Sequence, residues 1–133
     1  MVLGLLSFLC VLASSSGEAE EAWGYLWELR TLRLHALTGD LVRVGRLPQS
    51  QVVLTDGRVS RRHLEIRRSE TGFEVVDLRS TNGSRVNRRR LLPGRPVPLQ
   101  AGDLLQLANE KLLFHESKAA LWMDTLRYTL LAR

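Results

Sequence analysis

The stretch RVSRRHLEIRRSETGFEVVDLRSTNGSRVN, residues 58–87, decides how the chain is read. It opens with five arginines, Arg58, Arg61, Arg62, Arg67 and Arg68, set around Ser60 and His63. Such a stretch suits a nucleic-acid patch, a kinase acceptor site, or a cradle for a phosphate carried by another molecule. Its apolar pattern speaks first. HLEIR (63–67) alternates apolar and polar residues, the period of a strand with one face buried. FEVVDL (73–78) is rich in branched residues. Thr71-Gly72 and Asn82-Gly83 are turn signals.

The same punctuation runs outward in both directions. Strands are predicted at WGYLWEL (23–29), RLHAL (33–37), LVRVG (41–45), QVVLT (51–55) and SRVN (84–87). Others follow at RPVPL (95–99), DLLQLA (103–108) and KLLFHE (111–116). About ten to eleven short strands without a helical period predict an all-β sandwich. Its connections gather at the two ends, where binding sites tend to lie.

The flanks read differently. MVLGLLSFLCVLA (1–13) resembles the apolar core of a signal peptide. It lacks a preceding positive charge and is too short to span a bilayer as a helix. Residues 1–22 are therefore expected to lie outside the fold as leader and linker, with the domain at 23–116. In SKAALWMDTLRYTLLAR (117–133), Ala119, Trp122, Met123, Leu126 and Leu130 fall at helical spacing. A short C-terminal helix packed back on the sandwich is expected there.

Length and composition fit one soluble domain of 133 residues. The single cysteine, Cys10, excludes an intrachain disulfide and suits a reducing compartment. The net charge of +5 is uneven. Residues 41–100 hold 13 arginines, no lysine and five acids, a net of +8, and the remainder carries −3. Arginine matters because its fork meets phosphate oxygens with two parallel hydrogen bonds, whereas lysine is a point charge. The sequence has no phosphate-binding Gly-rich loop, no Gly-x-Ser-x-Gly elbow and no histidines at metal spacing, so no enzyme, cofactor or metal is expected.

Three short motifs line up between the strands: Gly45-Arg46, Ser60-Arg61-Arg62-His63 and Ser80-Thr81-Asn82-Gly83. Val86-Asn87 and Gly102-Asp103 follow. The ordered set resembles the forkhead-associated (FHA) domain, a β-sandwich that binds phosphothreonine peptides. The likeness runs from about Trp23 to His115. The opening AWGYLWEL is also similar to the first strand of the FHA domains of checkpoint kinases and of a mitotic checkpoint ubiquitin ligase.

The resemblance implies roles. Arg46 would supply the fork, Ser60 a hydroxyl and backbone donor, and Arg61 a second phosphate contact. Thr81 and Asn82 would come from the third loop, with the Asn82 amide clamping the peptide backbone. Gly45, His63 and Gly83 would support the site, His63 as a brace and Gly83 by a left-handed turn. Arg58 would select an acidic residue three positions after the phosphothreonine. Arg62, Arg67 and Arg68 read as solvated or field-setting, and Arg85, Arg88, Arg89 and Arg90 as a solvated loop. Ser84 and Ala108 depart from the family pattern, which more often has threonine and glycine there.

The implied partner is a threonine-phosphorylated protein recruited in signalling, DNA-damage or cell-cycle checkpoint signalling included. A basic nucleic-acid module is the alternative, and no membrane partner is expected. A phosphothreonine reader belongs where kinases work: inside the cell, in the nucleus if eukaryotic or the cytoplasm if bacterial. Secretion is the competing reading of the leader.

Overall fold

A computed structural model describes residues 21–117 and, in the tail, Ala119, Ala120, Met123, Leu126 and Arg127. Eleven strands follow in chain order. They are β1 (Gly24–Glu28), β2 (Leu34–Leu37), β3 (Leu41–Gly45), β4 (Val52–Val53), β5 (Leu64–Ser69) and β6 (Gly72–Asp77). After them come β7 (Ser84–Val86), β8 (Arg89–Arg90), β9 (Val97–Leu99), β10 (Leu104–Leu107) and β11 (Glu110–His115). They form two sheets, ordered β2-β1-β11-β10-β7-β8 and β4-β3-β5-β6-β9. This is the expected all-β sandwich.

Alternation explains the packing. In β3, Val42 and Val44 are buried while Leu41 and Arg43 face out; in β5, Leu64 and Ile66 are buried. From the other sheet, Leu26, Leu105, Leu107, Leu112 and Phe114 complete one core. Burial at this scale is the main force holding the sheets face to face. Trp23 closes one edge, stacked on Phe73 with ring centroids 5.1 Å apart, while its Nε1–H donates to the Gly39 carbonyl at 2.5 Å. Trp27 and Leu113 form a smaller buried cluster with Tyr25, Leu29 and Leu104.

One element departs from the sequence reading. Residues 88–90, expected as solvated loop, belong to a tight hairpin in which Arg85 pairs with Arg90 and Val86 with Arg89. Asn87 and Arg88 form its two-residue turn at φ of 49° and 73°. Turns of this kind require left-handed backbone at both positions and favour Asn-Gly.

In the tail, the described residues Ala119, Ala120, Met123, Leu126 and Arg127 are helical. Met123 and Leu126 are 69% and 58% exposed, so the expected packing of the apolar stripe on the sandwich is not found at these two positions. Trp122 and Leu130 lie outside the described residues, as does the leader through residue 20.

Candidate functional site

Strand register brings the three motifs together. Val44 pairs with Leu64, and Leu64 pairs with Asp77. The end of β3, the entry to β5 and the exit of β6 therefore lie side by side. Backbone bonds then stitch the loops: Arg46 N–H donates to Ser60 O at 3.1 Å, Leu47 N–H to Arg61 O at 3.2 Å, and Leu78 N–H to His63 O at 2.9 Å.

Gly45 is required by this approach. A Cβ built there would sit 2.2 Å from the Arg61 carbonyl oxygen and 3.1 Å from the His63 nitrogen, far inside contact distance. Both neighbours are backbone, so nothing can swing aside.

The converging loops enclose an open cradle of about 600 Å³, walled by Arg46, Ser60, Arg61, Arg62, Arg79 and Thr81. Arg46 is oriented by one bond, from its Nε–H to the Val59 carbonyl at 3.0 Å, which leaves its terminal N–H groups to point elsewhere. Val59 is fully buried and pins the loop between Arg58 and Ser60. The Ser60 Oγ accepts the Thr81 amide N–H at 3.0 Å, so its own hydrogen remains to be donated. Among the described residues, Arg46, Arg61, Arg62 and Arg79 take part in no ion pair.

His63 lies beneath, fully buried. Its Nδ1 accepts the Ser60 amide at 3.0 Å, so the ring proton sits on Nε2, which donates to the Gly83 carbonyl at 2.9 Å. One neutral ring thus ties the second loop to the third. Burial lowers its pKa from the ordinary histidine value, with the Gly83 bond and the Asp77 charge opposing.

A second buried support was not anticipated. Asp77, 1% exposed, accepts the Ser80 amide at 3.1 Å and the Ser80 and Ser84 hydroxyls at 2.6 Å each. Three donors from one turn compensate a buried carboxylate. Ser84 thereby supplies the hydroxyl that a threonine would. The other departure carries strain: Ala108 adopts φ of 52°, left-handed backbone that favours glycine.

Two residues stand beside the cradle instead of in it. Asn82 Nδ2 donates to the Arg58 carbonyl at 2.7 Å, bridging the second and third loops, and its Oδ1 is left as an acceptor. Arg58 is held by Asp56, whose Oδ1 accepts the Arg58 amide at 2.8 Å and lies 3.8 Å from its guanidinium. Both line a neighbouring cleft of about 360 Å³ that also takes in Arg85 and Arg90. Gly83, between cradle and cleft, is at φ of 79°, and a Cβ there would meet the Arg90 guanidinium at 3.2 Å.

Arg62 and Arg79 are the cradle residues that sequence reasoning missed. Arg62, read as solvated or field-setting, is exposed and also lines the cradle. Arg79 directly precedes the Ser-Thr-Asn-Gly motif, the one signal that could have found it.

A β-sandwich offering unpaired arginines and a serine hydroxyl from three loops at one end defines an anion-recognition module. The family model described as FHA domain matches residues 42–108, and the chain belongs to that family. It is 45% identical to the oxoglutarate dehydrogenase inhibitor of Corynebacterium diphtheriae over 76 residues, 57% of this chain and 51% of that protein. The chain thus spans about half the length of that relative. It is similar to Mycobacterium tuberculosis EmbR solved in complex with a low-affinity phosphopeptide: 32% identity, TM-score 0.67, 73% of this chain and 25% of that one. It also resembles an FHA domain solved in a study of phosphothreonine-dependent FHA interactions, with 32% identity, TM-score 0.64, 71% of this chain and 96% of that one.

Proposed function

We propose that the domain binds a phosphothreonine of a partner protein in the cradle of Arg46, Ser60, Arg61 and Thr81, and recruits that partner without catalysis. The observation that carries this reading is the unpaired charge. Arg46, Arg61, Arg62 and Arg79 wall one cradle with no carboxylate partner among the described residues. A phosphothreonine brings up to two negative charges and three acceptor oxygens. The Arg46 fork and the Ser60 hydroxyl offer charge-assisted donors to it. Asn82, through its free Oδ1, takes the amide of the bound peptide, and Arg58 favours an acidic residue three positions on.

The nucleic-acid alternative loses support from the aromatics. Base stacking needs exposed rings beside the basic surface. Of the tryptophans among the described residues, Trp23 is stacked on Phe73 and Trp27 is 8% exposed.

The proposed partner is defined by its phosphothreonine alone and not by the relatives' names. The corynebacterial relative is named for enzyme inhibition and the mycobacterial one for transcriptional regulation. A destination in checkpoint signalling rests on the opening strand alone. We further infer that the protein acts where threonine kinases act, inside the cell, with residues 23–116 as the binding unit.

Calorimetry with a phosphothreonine peptide and its unphosphorylated twin tests the proposal. Binding that requires the phosphate supports it, and equal affinities overturn it.

A further inference from the structure

The cleft beside the cradle presents more positive charge than the recognition of a single acidic residue needs. Arg85 and Arg90 are cross-strand partners on the two-residue β7–β8 hairpin, so their side chains emerge on the same face. Like charges placed directly opposite destabilise a sheet. Neither has an ion-pair partner among the described residues. Arg58, on the facing loop, differs: Asp56 lies 3.8 Å from its guanidinium and already offsets part of its charge. Two guanidinium charges therefore stand unopposed. Asn82, Gln106 and Asn109 line the same cleft and add neutral polar groups. Gly83, with no side chain, lets the Arg90 guanidinium lie against the loop that separates cleft from cradle.

We propose that this cleft is a second phosphate subsite, taking another phosphorylated side chain of the same peptide whose phosphothreonine fills the cradle. The inference rests on the phosphothreonine reading. Charge selects the ligand class. A carboxylate supplies one negative charge, whereas a phosphate monoester supplies about 1.5 to 2 with three acceptor oxygens. Only the latter balances Arg85 and Arg90 together and meets two forks at once. The spacing is short. Thr81 walls the cradle, and Asn82 and Gly83 wall the cleft. Adjacent loop residues thus line the two sites, and a short extended segment of one peptide, advancing about 3.3 Å per residue, can reach both.

The test is a peptide series measured by calorimetry. One peptide carries a single phosphothreonine. Others add a phosphoserine or an aspartate two, three or four residues to either side. The second phosphate at the preferred spacing should tighten binding about tenfold. Aspartate at that position should recover only a small part. The double variant Arg85→Gln, Arg90→Gln should lose the gain while keeping the singly phosphorylated affinity within about twofold. The proposal is overturned if no spacing gives a gain, if aspartate matches phosphate, or if the gain survives the double variant. It is also overturned if a single-stranded oligonucleotide displaces the doubly phosphorylated peptide as strongly as that peptide binds, since the cleft would then be a general polyanion surface. A singly phosphorylated peptide that binds no better than its unphosphorylated twin sinks the cradle reading, and this inference with it.

Discussion

The cradle and the cleft share a loop, but they are held in different ways. In the cradle, Arg46 is oriented by the Val59 carbonyl, and Ser60 is held through its amide by His63 and through its hydroxyl by the Thr81 amide. Beneath them lie two fully compensated polar groups, His63 and Asp77. The arginines of both regions are exposed, but in the cleft no side-chain hydrogen bond among the described residues orients Arg85 or Arg90, and strand pairing sets their position. Fixed donors can meet a phosphate with little reorganisation, which favours affinity. Arginines without such a bond must be ordered by the ligand, which costs entropy and limits what each contact adds. The first region should therefore decide whether binding occurs, and the second should grade it.

The largest expected effect belongs to the fork itself. Arg46→Ala should weaken a phosphothreonine peptide by about a hundredfold or more, because the one oriented guanidinium fork and its charge-assisted bonds to the phosphate are lost. Its melting temperature should match the parent's, since Arg46 makes one side-chain bond to the fold. A large loss of stability would show that cradle and scaffold are not separable.

Substitutions under the cradle should act on both. His63→Ala removes two hydrogen bonds and opens a cavity, a loss of about 2–4 kcal/mol in chemical denaturation. Gly45→Ala forces the Arg61 carbonyl away and should cost about 2–3 kcal/mol while displacing Ser60. Gly45 touches neither β7 nor β8, so in Gly45→Ala a second phosphate should still add to whatever binding remains. His63→Ala, by contrast, frees the Gly83 loop against which Arg90 lies and should weaken that gain as well.

Acid offers a graded version. His63 is neutral in the fold, its pKa lowered by burial, whereas in the unfolded chain it titrates near 6.5. The unfolded state therefore binds a proton first. Stability from the neutral ring is fully present above about pH 6.5 and is lost as pH falls below it toward the folded-state value. Protonating Nδ1 would also remove the acceptor for the Ser60 amide. Thermal melts of the free domain from pH 7.5 to 5 should fall over that range, and less steeply for His63→Gln. Equal slopes would move the proton uptake to another group.

The smallest effect lies at the hairpin. Arg88 holds φ of 73°, which a side chain tolerates poorly. Arg88→Gly should stabilise the domain by about 0.5–1 kcal/mol, less the entropy that glycine adds to the unfolded chain. Singly phosphorylated binding should not change.

The strands were legible where alternation was strict. LVRVG and HLEIR show it, and both are strands with buried valine, leucine and isoleucine on one face. β8 was hidden because Arg89 and Arg90 are both exposed, so no apolar period marks it. The cradle was legible through its ordered motifs, but those motifs stand for contacts and do not reveal the supports. Asp77 reads as an acid at a strand end, and only folding brings Ser80 and Ser84 onto it. Arg62 and Arg79 were missed for a related reason: their convergence depends on the register that joins β3, β5 and β6. Asn82, read as a peptide clamp, also bridges to the Arg58 carbonyl, a contact across 24 residues that no local pattern encodes.

One titration bears on phosphothreonine recognition itself. A singly phosphorylated threonine peptide and its unphosphorylated twin are each titrated into the domain and into Arg46→Ala at fixed salt. Saturable binding of the phosphopeptide to the parent domain alone is the expected result. Equal binding of both peptides, or retention of parental affinity by Arg46→Ala, would contradict it.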